Sequence, residues 1–236
     1  MNYQHIPDEL KELTRWCCYK IAVRNGKQTK VPINPETGSF AKSNDESTWS
    51  SFDTALDALN EYDYDGLGFF FKPPYFGIDL DDVRSEIDEY LKDEDADNLV
   101  SEFIETMGSY AEISPSGNGI HIISKGELPE GGRRKGNIEM YSSGRFFTMT
   151  GNKIGGYNYI VEDDVGKINY LHQKYIATNE VSKNHTKIEK QGTSLSESEI
   201  INIAENSKNG LRFKLFMNGG WEQFYDSQSE ADMAFA

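Results

Sequence analysis

Cysteine is scarce in this chain. The two that occur, Cys17 and Cys18, are neighbours. Successive strand residues point to opposite faces, so the pair is unsuited to a disulfide. No Cys-x-x-Cys spacing is present, which excludes a zinc ribbon of that kind. Without a disulfide framework a reducing cytosol is expected, and with it a cytoplasmic location. Long apolar runs are missing as well. No stretch approaches the ~20 residues of a membrane span. The opening Met1-Asn2-Tyr3-Gln4-His5 has no basic-then-apolar signal pattern, so no membrane partner is expected. Positive charge is also in short supply, with 24 Lys and Arg against 39 Asp and Glu and a net charge of -15. A uniformly basic footprint for nucleic acid is therefore excluded.

The charge is unevenly placed. Between Asp79 and Glu112 there are 13 acids and two bases. Between Ser114 and Lys153 the balance reverses, with six bases and three acids. An acidic insert beside a mildly basic site accounts for this better than an acidic surface throughout.

Periodicity and turn residues predict an α+β organisation. A short helix is expected over Pro7 to Leu13 and a strand over Trp16 to Val23. Asn25-Gly26 reads as a hairpin turn returning along Gln28 to Ile33. A helix with Phe52, Ala55, Leu56 and Leu59 on one face runs to about Tyr62. Gly66 to Phe71 and Tyr75 to Leu80 are apolar strands around Pro73-Pro74. Acidic helices follow from Val83 to Met107, burying Leu99, Phe103, Ile104 and Met107. Four short strands then come at Ala111 to Ser114, Gly119 to Ser124, Asn137 to Tyr141 and Arg145 to Thr150. Trp16, Tyr19 and Phe69-Phe70-Phe71 read as core. A catalytic domain over 1–178, a polar linker over 179–195 and a helical segment over 196–236 are expected. Ser227 with Glu230 opens a last helix lacking a stop signal, so the chain is read as cut from a longer protein.

The chemistry concentrates at Asp79 and Asp81, where an apolar run ends in acid. Residues two apart on a strand share a face. Two carboxylates held together repel and raise each other's pKa unless a cation lies between them. Oxygen-only ligands suit Mg²⁺ or Mn²⁺. An acidic strand end beside Asp82 and Arg84 is the plainer account of the pair. Three further elements align with it. Ser114-Pro115-Ser116-Gly117-Asn118-Gly119-Ile120-His121 is a glycine-flanked turn leading into a strand with a histidine. Glycines let backbone N–H groups approach a phosphate, and a serine or histidine there can donate to it. Gly136-Asn137-Ile138-Glu139-Met140-Tyr141 places one carboxylate inside an apolar strand, which is costly without a partner. Arg133-Arg134-Lys135 and Arg145 are cations on either side of that acid. Three carboxylates, a histidine and several cations suit nucleotidyl transfer, in which two metal ions about 4 Å apart clamp the attacking and leaving oxygens and cations hold a triphosphate.

The same residues carry a family resemblance. Asp-Leu-Asp at 79–81, Ser-x-x-Gly-x-His at 116–121 and Ile-Glu at 138–139 precede Gly144-Arg145-Phe146-Phe147-Thr148-Met149-Thr150-Gly151. With Lys30-Val31-Pro32-Ile33-Asn34-Pro35 and Glu112-Ile113-Ser114-Pro115-Ser116-Gly117, this order resembles the archaeo-eukaryotic primase superfamily. The likeness is to the primase–polymerase domains of phage, plasmid and mobile-element replication proteins, from roughly Pro7 to Asn158. The resemblance implies an N-terminal α/β unit and an RRM-like unit with the site between them. It implies Asp79, Asp81 and Glu139 as ligands of two Mg²⁺ or Mn²⁺ ions. It implies His121, Ser116 and the turn from Gly117 to Gly119 as phosphate contacts, with Arg145 and one of Arg133 or Arg134. The partners it implies are a single-stranded DNA template and primer, NTP or dNTP, and a helicase domain or protein. Two readings compete: a non-catalytic RRM-like module binding single strands through exposed aromatics, and a two-metal nuclease with no need of a triphosphate pocket.

Overall fold

The computed structural model describes residues 1–177, apart from positions 25, 164 and 165, together with Ile201. The expected linker and C-terminal helical segment lie outside the described residues, Ile201 excepted.

Two antiparallel sheets build the domain. The first is a hairpin of β1 (Trp16–Arg24) and β2 (Lys27–Ile33), extended by β3 (Gly66–Phe70). The second begins with β4 (Tyr75–Leu80), β5 (Ala111–Ile113), β6 (Ile120–Lys125), β7 (Arg134–Lys135) and β8 (Ile138–Tyr141). Then β9 (Phe146–Met149) returns to the first sheet and β10 (Lys153–Ile154) to the second. The strand orders are β2-β1-β3-β9 and β10-β5-β6-β4-β8-β7. Among the described residues five α-helices complete it: α1 (Asp8–Lys11), α2 (Phe52–Glu61), α3 (Arg84–Tyr90), α4 (Leu99–Met107) and α5 (Lys167–Tyr175).

Strand alternation sorts the second sheet's side chains into two faces. Phe76, Ile78, Leu80, Ile120, Ile122, Ile138 and Met140 pack against Ile87, Val100, Phe103, Ile104, Met107 and Leu171 of the helices. Ile78 and Leu80 are fully buried, each contributing roughly 1.5–3 kcal/mol. On the opposite face, Tyr75 and Ile123 share a core with Phe69, Phe71 and Phe147 of the first sheet and its ends. The two sheets approach so closely at Gly77 that a β-carbon there would lie 2.4 Å from the Phe147 ring and 2.5 Å from Phe71. The charged positions of β4, β6 and β8 lie on this second face.

Local chemistry explains the helix limits. The Ser51 hydroxyl accepts from Thr54 N–H at 3.1 Å and caps α2. Asn98 Oδ1 accepts from Ser101 N–H at 3.0 Å and opens α4, which ends at Gly108 in the left-handed conformation, φ 59°. Ser50 with Asp53 also resembles a helix start in the sequence, and the cap of α2 is its neighbour Ser51. Cys17 and Cys18 are both buried and unbridged, and they enter different core clusters as adjacent strand residues must.

Candidate active site

Four strands of the second sheet bring four titratable residues into one row. Asp79 of β4 is the register partner of His121 on β6 and of Glu139 on β8. His121 is in turn opposite Glu112 on β5. Arg134 on β7 faces Glu139 and Lys153 on β10 faces Glu112, so the row spans the whole sheet. Directly opposed residues share a face, with Cβ atoms about 4.5–5.5 Å apart. Positions 79, 121 and 139, far apart in sequence, thus become nearest neighbours through strand pairing alone.

The electrostatics at the centre are those of crowded acid. Burial pushes the Asp79 carboxyl above its ordinary pKa. The His121 imidazole opposes that shift, the negative charges of Asp81 and Glu139 add to it, and Lys30 opposes it weakly. His121 is only 4% exposed. Its Nε2 lies 3.7 Å from Asp79 Oδ1 and its Nδ1 lies 3.4 Å from Glu112 Oε1. Its ring stacks on Phe147, with centroids 4.7 Å apart and planes at 29°.

Asp81 is one residue beyond the end of β4 and exposed. Its N–H donates to Asn137 O at 2.8 Å, and Asn137 Nδ2 donates to Asp81 O at 2.8 Å, so its backbone is fixed beside the start of β8. Asp82 then adopts φ 51°, an uncommon backbone state for a residue with a side chain. The Ser114–Gly119 turn closes against this segment. Ser114 N–H donates to Gly119 O at 2.9 Å, and Val83 N–H donates to Asn118 O at 2.8 Å. Asn118 N–H donates to Ser116 Oγ at 3.2 Å. Gly117 has φ +74°, and a β-carbon on Gly119 would lie 2.5 Å from Leu80 O. The turn therefore closes on the end of β4 only because residue 119 has no side chain.

The expected cations are placed differently from one another. Arg134 Nε donates to Glu139 Oε1 at 2.9 Å. Arg133 turns to the carbonyl of Pro129. Arg145 lies over the Tyr141 ring, 4.9 Å from its centroid. Burial raises the Tyr141 phenol pKa, and its hydrogen bond to Glu139 adds to this while Arg145 opposes it. Of the two arginines at 133 and 134, only Arg134 touches a residue of the acidic row.

Several side chains in and around the row were given no role by the sequence alone. Lys30 of β2 enters from the other sheet: its ammonium donates to Thr148 Oγ1 at 3.0 Å. The residue as a whole is exposed, but burial of its amine end lowers its pKa while Asp79 and Asp81 pull it up. Glu112 is fully buried. An acid between Ala111 and Ile113 in a strand carries the same signal that singled out Glu139, so Glu112 was legible by that rule. His172, unremarkable in sequence, is 3% exposed, and its Nε2 lies 2.8 Å from Gly132 O, one residue from Arg133.

The carboxylates are not drawn into a ready-made cage. Among the described residues, no group of three or more His, Cys, Asp or Glu side chains is arranged to hold a metal ion. Glu139 is instead paired with Arg134, and Asp79 lies against His121. The donor chemistry nevertheless fits a hard divalent ion. The ligating atoms would all be carboxylate oxygens, and their mutual repulsion is what such an ion relieves.

A mixed α/β domain with two antiparallel sheets and an acidic row crossed by a histidine is thus the class that fold and site define. No protein-family model matches the chain. Over 238 aligned positions, 96% of this chain, it is 32% identical to the DNA Primase-polymerase of Nitratiruptor phage NrS-1. The chain spans 30% of that protein's length. The resemblance carried by the motifs is therefore borne out by similarity to a phage DNA Primase-polymerase over nearly the whole of this chain. No helix among the described residues is long and apolar enough to cross a membrane.

Proposed function

We propose that this domain is a template-dependent nucleotidyltransferase, a DNA primase or polymerase acting in replication of a phage, plasmid or mobile element. It adds a nucleotide to a 3′-hydroxyl with release of pyrophosphate. The observation that carries this is the register of His121, Asp79 and Glu139 across three neighbouring strands, with Asp81 at the strand end. The likeness to a phage DNA Primase-polymerase supports it. The two sheets correspond, on this reading, to the N-terminal α/β unit and the RRM-like unit of a primase core.

Each residue has a role. Asp79, Asp81 and Glu139 hold two Mg²⁺ or Mn²⁺ ions, with Glu139 released from or shared with Arg134. When bound, the ions supply Lewis-acid stabilisation of the attacking and leaving oxygens. His121 presents Nε2 to a phosphate oxygen from a ring fixed by Phe147. Ser116 and the turn from Gly117 to Gly119 face the phosphates beside Asp81. Arg145 and Arg134 offset charge on the departing pyrophosphate. A single-stranded DNA template, a primer, NTP or dNTP and a helicase are the proposed partners.

The competing binding module needs aromatic platforms on an open sheet face. Phe69, Phe70, Phe71 and Phe147 are all buried instead. The test is incorporation of labelled nucleotide on a single-stranded template, with and without primer, with Mg²⁺ or Mn²⁺. Incorporation lost in Asp79→Ala and Asp81→Ala is expected. Retention of full activity in either variant would falsify the mechanism. Binding without turnover would favour the module, and cleavage of the strand without nucleotide would favour the nuclease.

A further inference from the structure

Glu112 has an arrangement that the proposed chemistry does not call for. It is fully buried, in the middle of a three-residue strand, with no direct contact to the acidic pair. Its Oε1 accepts from Thr150 N–H at 2.9 Å and faces His121 Nδ1 at 3.4 Å. Its Oε2 accepts from Gly151 N–H at 2.8 Å and from the Tyr110 hydroxyl at 2.8 Å. A carboxylate has about four acceptor positions; three accept from Thr150, Gly151 and Tyr110, and the fourth faces Nδ1.

That fourth position suits a donor, which selects the imidazole tautomer with its proton on Nδ1. Phe147 covers the ring face. The Nε2 edge alone remains, and it is aimed at the Asp79 side of the row. Thr150 and Gly151 immediately follow β9 of the first sheet, whereas Glu112 and His121 belong to the second. One carboxylate therefore sets the histidine relative to both sheets.

We propose that Glu112 is a positioning residue: it holds His121 with Nδ1 protonated and Nε2 directed at the phosphates of the incoming nucleotide. This rests on the nucleotidyltransferase reading, which places His121 against those phosphates. Buried orienting carboxylates of this kind fix the tautomer and ring angle of a histidine whose other nitrogen does the work.

Two measurements test it. The first is long-range ¹H–¹⁵N NMR of the wild-type imidazoles, with His121 assigned by its loss in His121→Ala. A protonated Nδ1 is expected, and in Glu112→Gln that signal should shift or exchange faster. A bare Nδ1 in the wild-type protein overturns the proposal without any variant having to fold. The second is a double-mutant cycle on nucleotide incorporation. Glu112→Gln should raise the nucleotide KM about tenfold with a smaller change in kcat, and should add less than twofold to His121→Ala. Effects that multiply fully in the double variant overturn the proposal, since a merely structural loss would act in both backgrounds. Tyr110→Phe removes one donor to Glu112 and leaves His121 untouched, so it should give a smaller KM effect of the same sign; an unchanged KM counts against the proposal. A wild-type protein that incorporates no nucleotide overturns the nucleotidyltransferase reading instead, and the NMR result still decides whether Glu112 sets the imidazole.

Discussion

Asp79 and Glu139 stand directly opposite one another across the antiparallel pairing of β4 and β8. The Asp79 carboxyl is raised by burial and by its acidic neighbours, against the opposing pull of His121. Such a group contributes stability that is full below its unfolded pKa and lost as pH rises through its folded pKa. At neutral pH the metal-free protein thus carries an electrostatic cost at this position.

Asp79→Asn should accordingly stabilise the metal-free domain while removing activity. A gain of about 1 kcal/mol, or ~2–4 °C in Tm, is expected at pH 7. The gain should shrink as pH falls through the raised folded pKa of Asp79 and be gone below the unfolded carboxylate range, where the wild-type group is protonated in both states. Thermal melts from pH 3 to pH 7 with chelator present check the sign. A variant less stable than wild type at pH 7 would show that Asp79 is held by favourable contacts instead.

Gly119 explains how a phosphate-facing turn and an acidic strand end become one site. With a β-carbon 2.5 Å from Leu80 O, Gly119→Ala must push the turn away from Asp81. Overpacking of this kind typically costs ~1–3 kcal/mol. A lower Tm and at least a tenfold loss of kcat/KM for nucleotide are expected. Near-wild-type values for both would mean that the turn and strand can separate without consequence.

Most of the fold was legible because its signals are local. The Asn25-Gly26 turn, the apolar run of Tyr75–Leu80 and the stripe of Phe103, Ile104 and Met107 each announce an element by spacing. What was missed has weak local signal. Two-residue strands β7 and β10 are too short to show alternation. Helix α5 begins after Gly166 rather than a capping residue; the Asp163 carboxylate, several residues upstream, accepts from Lys167 and Ile168 N–H at 2.9 and 2.8 Å. The site divides along the same line. Asp79, Asp81, His121 and Glu139 were named from their immediate neighbours. Lys30 was not, because it reaches the acids from another sheet. Nor could sequence tell Arg133 from Arg134, since the choice depends on the register of β7 with β8.

Arg134 should act against metal binding in the free protein and for nucleotide binding in the complex. It occupies Glu139 at 2.9 Å, but its own side chain is 64% exposed, so the pair contributes little to folding. Arg134→Ala should therefore leave Tm within about 1 °C. It should tighten Mn²⁺ binding severalfold by calorimetry without nucleotide, and raise the nucleotide KM. Weaker Mn²⁺ binding would show that Arg134 orients Glu139 for the ion rather than competing with it.

Lys30 is the cation that the first sheet contributes to the acidic row. Its amine end is desolvated, which disfavours its charge, yet Asp79 and Asp81 favour it. Desolvation is the larger effect, so the charged ammonium costs stability at neutral pH. Lys30→Met should thus raise the metal-free Tm at pH 7, by roughly 2–4 °C if the gain is near 1 kcal/mol. The gain should shrink as pH rises through the lowered folded pKa of the lysine, because the wild-type amine then loses its charge too. Melts of both proteins from neutral to alkaline pH measure the difference, and a variant less stable than wild type at pH 7 would show that the Thr148 hydrogen bond and the attraction of the acids outweigh the desolvation.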